Sequence, residues 1–409
     1  MKRLSLITLL LFCPLLMRAV SPVSGLQKVS PACEGMDSLK LERIDSVMNG
    51  ALSSGLVPGA VVCVVRNGSI VYSKAFGYRA LVPSRERMTE DTVFDLASLS
   101  KVTGTTMAVM QLIERGKLRL NDNVSRYIPG YLPWISEKGD KVEIKVRDLL
   151  THSSGLPAYI FTKTYFNDHS EHDPPALVRW ISSEAPRDSR PGSRYKYSCL
   201  NFITLQAIVE KLTGERLCDY LQKNVYEPLG MRNTCYYPKG TKISPEVLAN
   251  IAPTEVQPDG KPLRGQVHDP IARRIMDGNS GNAGVFSNAA DLAVLCAALL
   301  NMGEWEGTRV LSPLSVMTMF AIPAENNSSV GRALGWDCYS SKNSIGNRAG
   351  SRGVTFSHTG FTGTSIALNL EENTAVIILS NRVHPRSKGN LADLRNAVSM
   401  VVSSSFLAE

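Results

Sequence analysis

An alcohol is a weak nucleophile at neutral pH, so a serine that attacks a carbonyl needs a neighbour to take its proton. Two stretches of the 409-residue chain place a serine three residues before a lysine: Ser98-Leu99-Ser100-Lys101 and Ser193-Arg194-Tyr195-Lys196. Spacing alone carries little, since ordinary residue frequencies produce one or two such matches in roughly 400 residues. Context separates them. Ser193 follows Pro191-Gly192 in a loop-like stretch, whereas Ser98 opens a run of good helix composition that continues to Arg115 and stops at Gly116. On a helix, positions i and i+3 share a face. The N–H groups left unpaired where a helix starts also suit the oxyanion formed on attack. For Lys101 to act as the base, desolvation or a nearby positive charge has to pull its pKa down. The pair points to acyl transfer through Ser98.

Other reactive groups in the chain point to less. Gly278-Asn279-Ser280-Gly281-Asn282 lacks the last glycine of a G-x-S-x-G elbow, which leaves an α/β-hydrolase nucleophile unsupported. Asp168-His169 and Glu171-His172-Asp173 read as a solvated polar loop rather than metal ligands. His152, ahead of Ser153-Ser154-Gly155, reads as a turn residue and not as a member of a triad. His268-Asp269 reads equally well as cleft lining or as a loop brace. No P-loop or dinucleotide fingerprint occurs, so no nucleotide cofactor is implied. The chemistry read at Ser98 asks for no metal and no cofactor.

The elements that have to position Ser98 follow from periodicity. Apolar residues at helical spacing run through residues 37–52, ending near Gly50 and Gly55. Ala60–Val65 and Ile70–Ala75 read as two strands around an Asn67-Gly68 hairpin turn. From about residue 117 to 275 the chain is loop-rich, with short helices expected at Val146–Thr151, Ala176–Glu184, Phe202–Leu212 and Leu217–Val225. Ala289–Leu300 is an amphipathic helix. Val354–Ser357, Thr364–Leu370 and Ala375–Leu379 read as strands, and Leu391–Phe406 closes as a helix. Strands near both ends with helices between them predict an α+β fold. One sheet is built from the two ends, a helical lobe from the middle, and the cleft lies between them.

Composition narrows the setting. Hydrophobic residues make up 43% and charged residues 20%, an ordinary globular mix. Met1-Lys2-Arg3, the apolar run Leu4–Met17 and the small residues from Ala19 to Gly25 have the layout of a secretory signal peptide over residues 1–20. Its apolar run is too short for a stable membrane span. Export to the periplasm or beyond is therefore expected, and the bulky Phe12 before Cys13 argues against a lipid-modified cysteine. Loss of the leader removes Lys2, Arg3 and Arg18 and no acid, which takes the formal charge from +8 to +5. No basic block interleaved with aromatics is present, so nucleic acid is not expected as a partner. Outside the leader stand seven cysteines: Cys33, Cys63, Cys199, Cys218, Cys235, Cys296 and Cys338. With an odd number and no CxxC pair they form neither a disulfide scaffold nor a zinc site.

Phe94-Asp95-Leu96-Ala97-Ser98-Leu99-Ser100-Lys101 resembles the nucleophile motif of the class C β-lactamase and penicillin-binding-protein superfamily. Further strings resemble the family in its own order: Pro58-Gly59-Ala60-Val61-Val62, Leu150-Thr151-His152-Ser153-Ser154-Gly155-Leu156-Pro157, Pro228-Leu229-Gly230-Met231, Gly284-Val285-Phe286-Ser287 and His358-Thr359-Gly360. The resemblance runs from about Leu56 to Asn381 and implies the β-lactamase/DD-peptidase fold in one domain over residues 37–406. It implies a role for Tyr197, in Tyr197-Ser198-Cys199, as general base and then proton donor to the leaving group. It also implies an oxyanion hole made by the backbone N–H groups of Ser98 and Phe361, with Gly360 letting substrate lie against the strand edge.

Two departures bear on substrate choice. Cys199 stands where many relatives have an asparagine that orients the lysine, and a thiol bonds weakly. His358 replaces a lysine that supplies positive charge, and histidine is mostly neutral at pH 7. Both changes lean away from β-lactams and toward a carboxylic ester or a D-amino-acid peptide, peptidoglycan fragments among them. The contrasting expectation is a penicillin-binding sensor, a scaffold or a pseudoenzyme with negligible turnover.

Overall fold

The computed structural model describes residues 25–321, 332–338 and 354–407. The leader expected over residues 1–20, Cys13 included, lies outside them. The hairpin forms as its turn residues dictate: Asn67 (φ +49°) and Gly68 (φ +78°) make the two-residue loop whose twist suits flanking strands. It joins β1 (Gly59–Arg66) to β2 (Ser69–Ala80), with Arg66 opposite Ser69. β3 (Glu86–Arg87) extends that edge. From the other end of the chain come β4 (Thr355–Thr359), β5 (Ser365–Asn369) and β6 (Thr374–Ser380). The strand order is β4-β5-β6-β1-β2-β3, and every pairing is antiparallel. Pairing of β1 with β6, Ala60 opposite Ser380, closes the two ends into one sheet.

β1 is central and covered on both faces, which explains a run of apolar residues without alternation. Val61, Cys63 and Val65 point into the larger core, which the buried helix α4 shares. Val62 and Val64 point into a second core with α1 and α5. The helices are α1 (Arg43–Ser53), α2 (Thr106–Glu114), α3 (Cys199–Thr213), α4 (Ala289–Leu300) and α5 (Ala392–Ser404). Asn288 caps α4 by accepting the Asp291 N–H at 2.9 Å.

Three features depart from the sequence reading. The expected single helix from Ser98 to Arg115 is instead a 3₁₀ turn (Ala97–Leu99), a widened π turn (Lys101–Thr105) and then α2. The π turn contains Gly104, where a Cβ would lie 3.0 Å from Leu221 and 3.2 Å from the Tyr226 and Tyr236 hydroxyls, so close packing shapes this stretch. α3 begins at Cys199, three residues earlier than expected, with the Cys199 N–H donating to Ala158 O at 2.9 Å. Last, Phe94–Asp95, Val285–Ser287 and Cys235–Tyr236 form a small antiparallel sheet too short to leave a periodic signal. That sheet anchors the residues just before Ser98.

Ile377, fully buried on β6, faces the larger core. Ile377→Ala is expected to cost about 2–5 kcal/mol. Urea unfolding measures it, and a loss below about 1 kcal/mol would contradict this packing.

Candidate active site

The site starts with a strained turn. Asp95, 2% exposed, accepts the N–H of Ala97 at 2.8 Å and that of His268 at 2.6 Å. Burial raises its pKa, and these two N–H donors work against the rise. The bond to Ala97 helps hold that residue at φ +47°, a left-handed conformation an alanine adopts only under constraint. The next residue is Ser98, half-buried and facing a cleft of about 400 Å³.

Two donors converge on the Ser98 hydroxyl. Lys101 Nζ lies 3.0 Å and the Tyr197 hydroxyl 2.8 Å from Ser98 Oγ. Lys101 has no exposed surface. Its ammonium also donates to Asn282 O at 2.8 Å, contacts Cys199 Sγ at 3.7 Å and sits 5.1 Å from the centre of the Tyr197 ring. Burial works to lower the Lys101 pKa, but the Cys199 and Tyr197 groups beside it, as they ionise, raise it, and the net direction is upward. Burial also raises Tyr197 and Cys199. The condition set for Lys101 to act as the base by itself, a lowered pKa, is therefore not met. Near neutrality the lysine holds its proton and the phenol stays neutral, and the group able to accept the serine proton is the Lys101–Tyr197 pair after it has lost one proton.

Tyr197 is held by a residue that sequence reading ranked as a turn. His152 adopts φ +54°, as a turn residue would, but its ring lies 4.4 Å from the Tyr197 ring. Its Nδ1 accepts the Ser198 N–H at 3.1 Å and faces Asn201 Nδ2 at 3.3 Å, which assigns the proton to Nε2. His152 thus positions the phenol.

The strand motif closes the other wall. His358 is buried and its Nδ1 donates to Thr359 O at 3.1 Å, leaving Nε2 without a partner. Burial, followed by the charges of Arg332 and Lys101, holds it well below its ordinary pKa of 6.5, so it is neutral. Thr359 lines the cleft. The Gly360 N–H is taken by Thr364 O at 2.8 Å. A Cβ at Gly360 would stand 2.3 Å from Leu96 O and 2.1 Å from Thr364 Oγ1. The glycine is thus required by the fit of β4 against the serine turn, whereas the sequence reading gave it to substrate approach. Phe361 is 57% exposed at the rim, stacked on His268 at 5.6 Å with Arg382 4.8 Å over its ring. His268 braces the Asp95 turn through its N–H and stacks on Phe361 behind the rim, and Asp269 caps a short helix by accepting the Ala272 N–H at 2.8 Å.

Cys199 enters the cluster through its thiol, 3.7 Å from Lys101 Nζ, and Asn282 O accepts a shorter bond from the same ammonium. Sequence reading missed Asn282, along with Asp95, Arg332, Arg382 and Arg395 around the cleft. Asp95 had a signal, as an acid inside an apolar string. The others lie in separate stretches with no motif. The second serine–lysine pair is uninvolved: Ser193 Oγ donates to Arg190 O at 2.6 Å and Lys196 pairs with Asp188. Asp168, Glu171 and Asp173 are exposed, as a solvated polar loop requires, while His169 and His172 are half-buried against Tyr165 and Phe166, with centroids 4.5 and 4.2 Å apart. Among the described residues no His/Cys/Asp/Glu group could hold a metal ion, and all seven cysteines are free thiols.

The sequence pattern of the Beta-lactamase family matches residues 44–399. An N-acetylmuramyl-L-alanine amidase of Bacillus subtilis is 32% identical over 369 residues, covering 84% of this chain and 81% of that protein. A Salmonella schwarzengrund protein, provisionally named a D-alanyl-D-alanine carboxypeptidase, is 32% identical over 386 residues, covering 88% and 86%. Among solved structures, EstCE1, a hydrolase with promiscuous acyltransferase activity, superposes with a TM-score of 0.69 at 23% identity, covering 89% of this chain and 99% of that one.

The neutral histidines set a pH dependence. His152 and His358 are both held well below 6.5, burial being the largest cause for each. The unfolded chain binds their protons below about pH 6.5 while the native state does not, so their contribution to stability is fully present above that pH and is lost as pH falls below it. For His358→Gln the stability profile between pH 6 and 5 should be shallower than wild type by about 1.4 kcal/mol per pH unit, the contribution of one proton. Parallel profiles in thermal unfolding would contradict a buried neutral His358.

Proposed function

The chain belongs to the beta-lactamase family of hydrolases, and on that premise we propose that it is an exported serine hydrolase working through a Ser98 acyl-enzyme. The observation that carries the reading is the convergence of Lys101 Nζ and the Tyr197 hydroxyl on Ser98 Oγ, at 3.0 and 2.8 Å. Ser98 Oγ attacks a carbonyl carbon while its proton passes to the Lys101–Tyr197 pair. The oxyanion is received by the Ser98 and Phe361 N–H groups. Tyr197 returns the proton to the leaving group, and water then releases the acid. None of these steps calls for a metal or cofactor.

The substrate is a carboxylic ester or a D-amino-acid peptide, with a β-lactam less favoured. Relatives named as an amidase and a carboxypeptidase favour cell-wall peptides. Export rests on the leader read over residues 1–20. Among the described residues no helix is long and apolar enough to cross a membrane. Residues 37–406 act as one hydrolase domain, and the region from about 117 to 275 forms its lobe.

A fluorophosphonate probe and a short p-nitrophenyl ester test the reading. Wild type should be labelled and turn over, and Ser98→Ala should lose labelling and at least about 10³-fold in turnover. Stoichiometric labelling without turnover would mean a sensor, and neither signal a pseudoenzyme. Because the accepting form of the pair appears only once a proton is lost, and both members are shifted upward, kcat/KM should climb as pH rises above 7. A rate falling between pH 7 and 9 in stable enzyme would refute the shared base. Since Asn282 O already anchors Lys101, Cys199→Asn should change ester kcat by less than about fivefold, the worth of one modest hydrogen bond. A larger change would return the orienting role to position 199.

A further inference from the structure

A second cavity, of about 570 Å³, lies outside the Ser98 cleft. The short helix Val146–Leu150, the Arg190–Gly192 loop and the 332–334 segment wall it. That loop leads into Ser193 and Lys196, the serine–lysine pair that the chemistry at Ser98 leaves unused. Leu120 and Leu334 give the cavity an apolar side. Its charged groups are four cations, Lys145, Arg147, Arg190 and Arg332, against two acids, Glu143 and Asp148. Both acids are already engaged. Glu143 accepts the Ser125 hydroxyl at 3.1 Å. Asp148, 5% exposed, accepts the Lys145 N–H at 2.8 Å and has Arg147 Nε 4.0 Å away. Among the described residues no acid lies within ion-pair reach of the Lys145 ammonium or the Arg190 guanidinium.

Arg332 makes this more than a charged surface. It is 5% exposed and stands in the wall of both cavities. Its Nη2 donates to Gly335 O at 3.0 Å and its Nη1 to the Tyr195 hydroxyl at 3.4 Å, while its buried Nε has no partner. The acid paired with it, Asp337, stays 3.8 Å away. A cation withdrawn from water is costly unless an anion or a full set of acceptors replaces the water. Arg332 has an incomplete set, and three further cations face the same space. Repulsion among like charges that share a cavity is relieved when an anion enters it.

We infer that this cavity is a second binding site, distinct from the Ser98 cleft, for a small organic oxyanion carrying at least two negative charges. The surplus of two cations over acids sets the charge. The apolar side at Leu120 and Leu334 accommodates a carbon skeleton, and the volume falls in the range of cavities that hold small molecules. Guanidinium groups take two oxygens of a phosphate or carboxylate at once, and the ammonium adds a point charge. Arg190 is exposed and Lys145 half-buried, so both side chains are free to turn toward the ligand.

Calorimetric titration of the protein with pyrophosphate and with citrate tests the site. At least one of these ions should bind saturably, one per chain, with an affinity that falls as ionic strength rises. Binding of pyrophosphate alone would assign a phosphate-bearing ligand, and binding of citrate alone a carboxylate-bearing one. Arg190→Ser and Lys145→Ser should each weaken binding at least about fivefold, while hydrolysis of the p-nitrophenyl ester stays at the wild-type rate. Arg43→Ser, which removes an exposed cation on α1, should leave the affinity within about twofold of wild type. Three results would each overturn the inference: no saturable binding of either ion, equal weakening in Arg43→Ser, or loss in Arg382→Ser with none in Arg190→Ser. The last would seat the ion in the Ser98 cleft instead.

Discussion

An ammonium group with no exposed surface has to be solvated by the protein around it. At Lys101 that solvation comes from the Asn282 carbonyl, the Ser98 hydroxyl, the Cys199 thiol and the Tyr197 ring. These groups come from three segments: the 3₁₀ turn, the Tyr197-Ser198-Cys199 stretch that enters α3, and the 278–282 segment. Each is held elsewhere. Thr105 Oγ1 donates to Gly281 O at 2.7 Å, and Gly281 packs so closely on α3 that a Cβ would stand 2.1 Å from Phe202 O. The requirement to shelter one charge therefore dictates where α2, α3 and the 278–282 segment meet.

The same logic extends to the sheet. Ser98 sits on a turn strained at Ala97, and the strain is borne by Asp95 on one side and β4 on the other. Thr362 Oγ1 donates to Asp95 O at 2.8 Å and Thr364 Oγ1 to Leu96 O at 2.9 Å. Gly360 permits the approach. The loop after β4 is thus bonded to the backbone that delivers Ser98, so the distance between the serine and Phe361 is set by packing between the sheet and the turn.

Charge is distributed around the cleft in an uneven way. Lys101 is enclosed and compensated by dipoles, His358 and His152 are neutral, and the uncompensated cations are Arg382 and Arg395. The cations that line the cleft thus come from segments other than the strand that carries His358.

Much of this was legible in the amino-acid sequence. The Asn67-Gly68 turn, the uninterrupted apolar run of β1, the helix at Ala289–Leu300 and the late strands imply a sheet closed from both ends, because periodicity and turn chemistry are local properties, although that helix is buried almost all round and not amphipathic as expected. The strings around Ser98, Tyr197 and His358 were legible for the same reason, each being contiguous. What the sequence could not contain was anything depending on which distant groups become neighbours. The upward shift of Lys101 arises from Cys199 and Tyr197 across the fold, and its orientation from a backbone carbonyl, which has no residue type to read. The breaking of the nucleophile helix into 3₁₀ and π turns follows from Asp95 and from packing at Gly104. Arg382 and Arg395 look like surface residues in their own stretches, and only the tertiary structure turns them into the unbalanced charge of a cleft. Local patterns determine elements, but burial and long-range proximity determine charge states, and those exist only once the chain has folded.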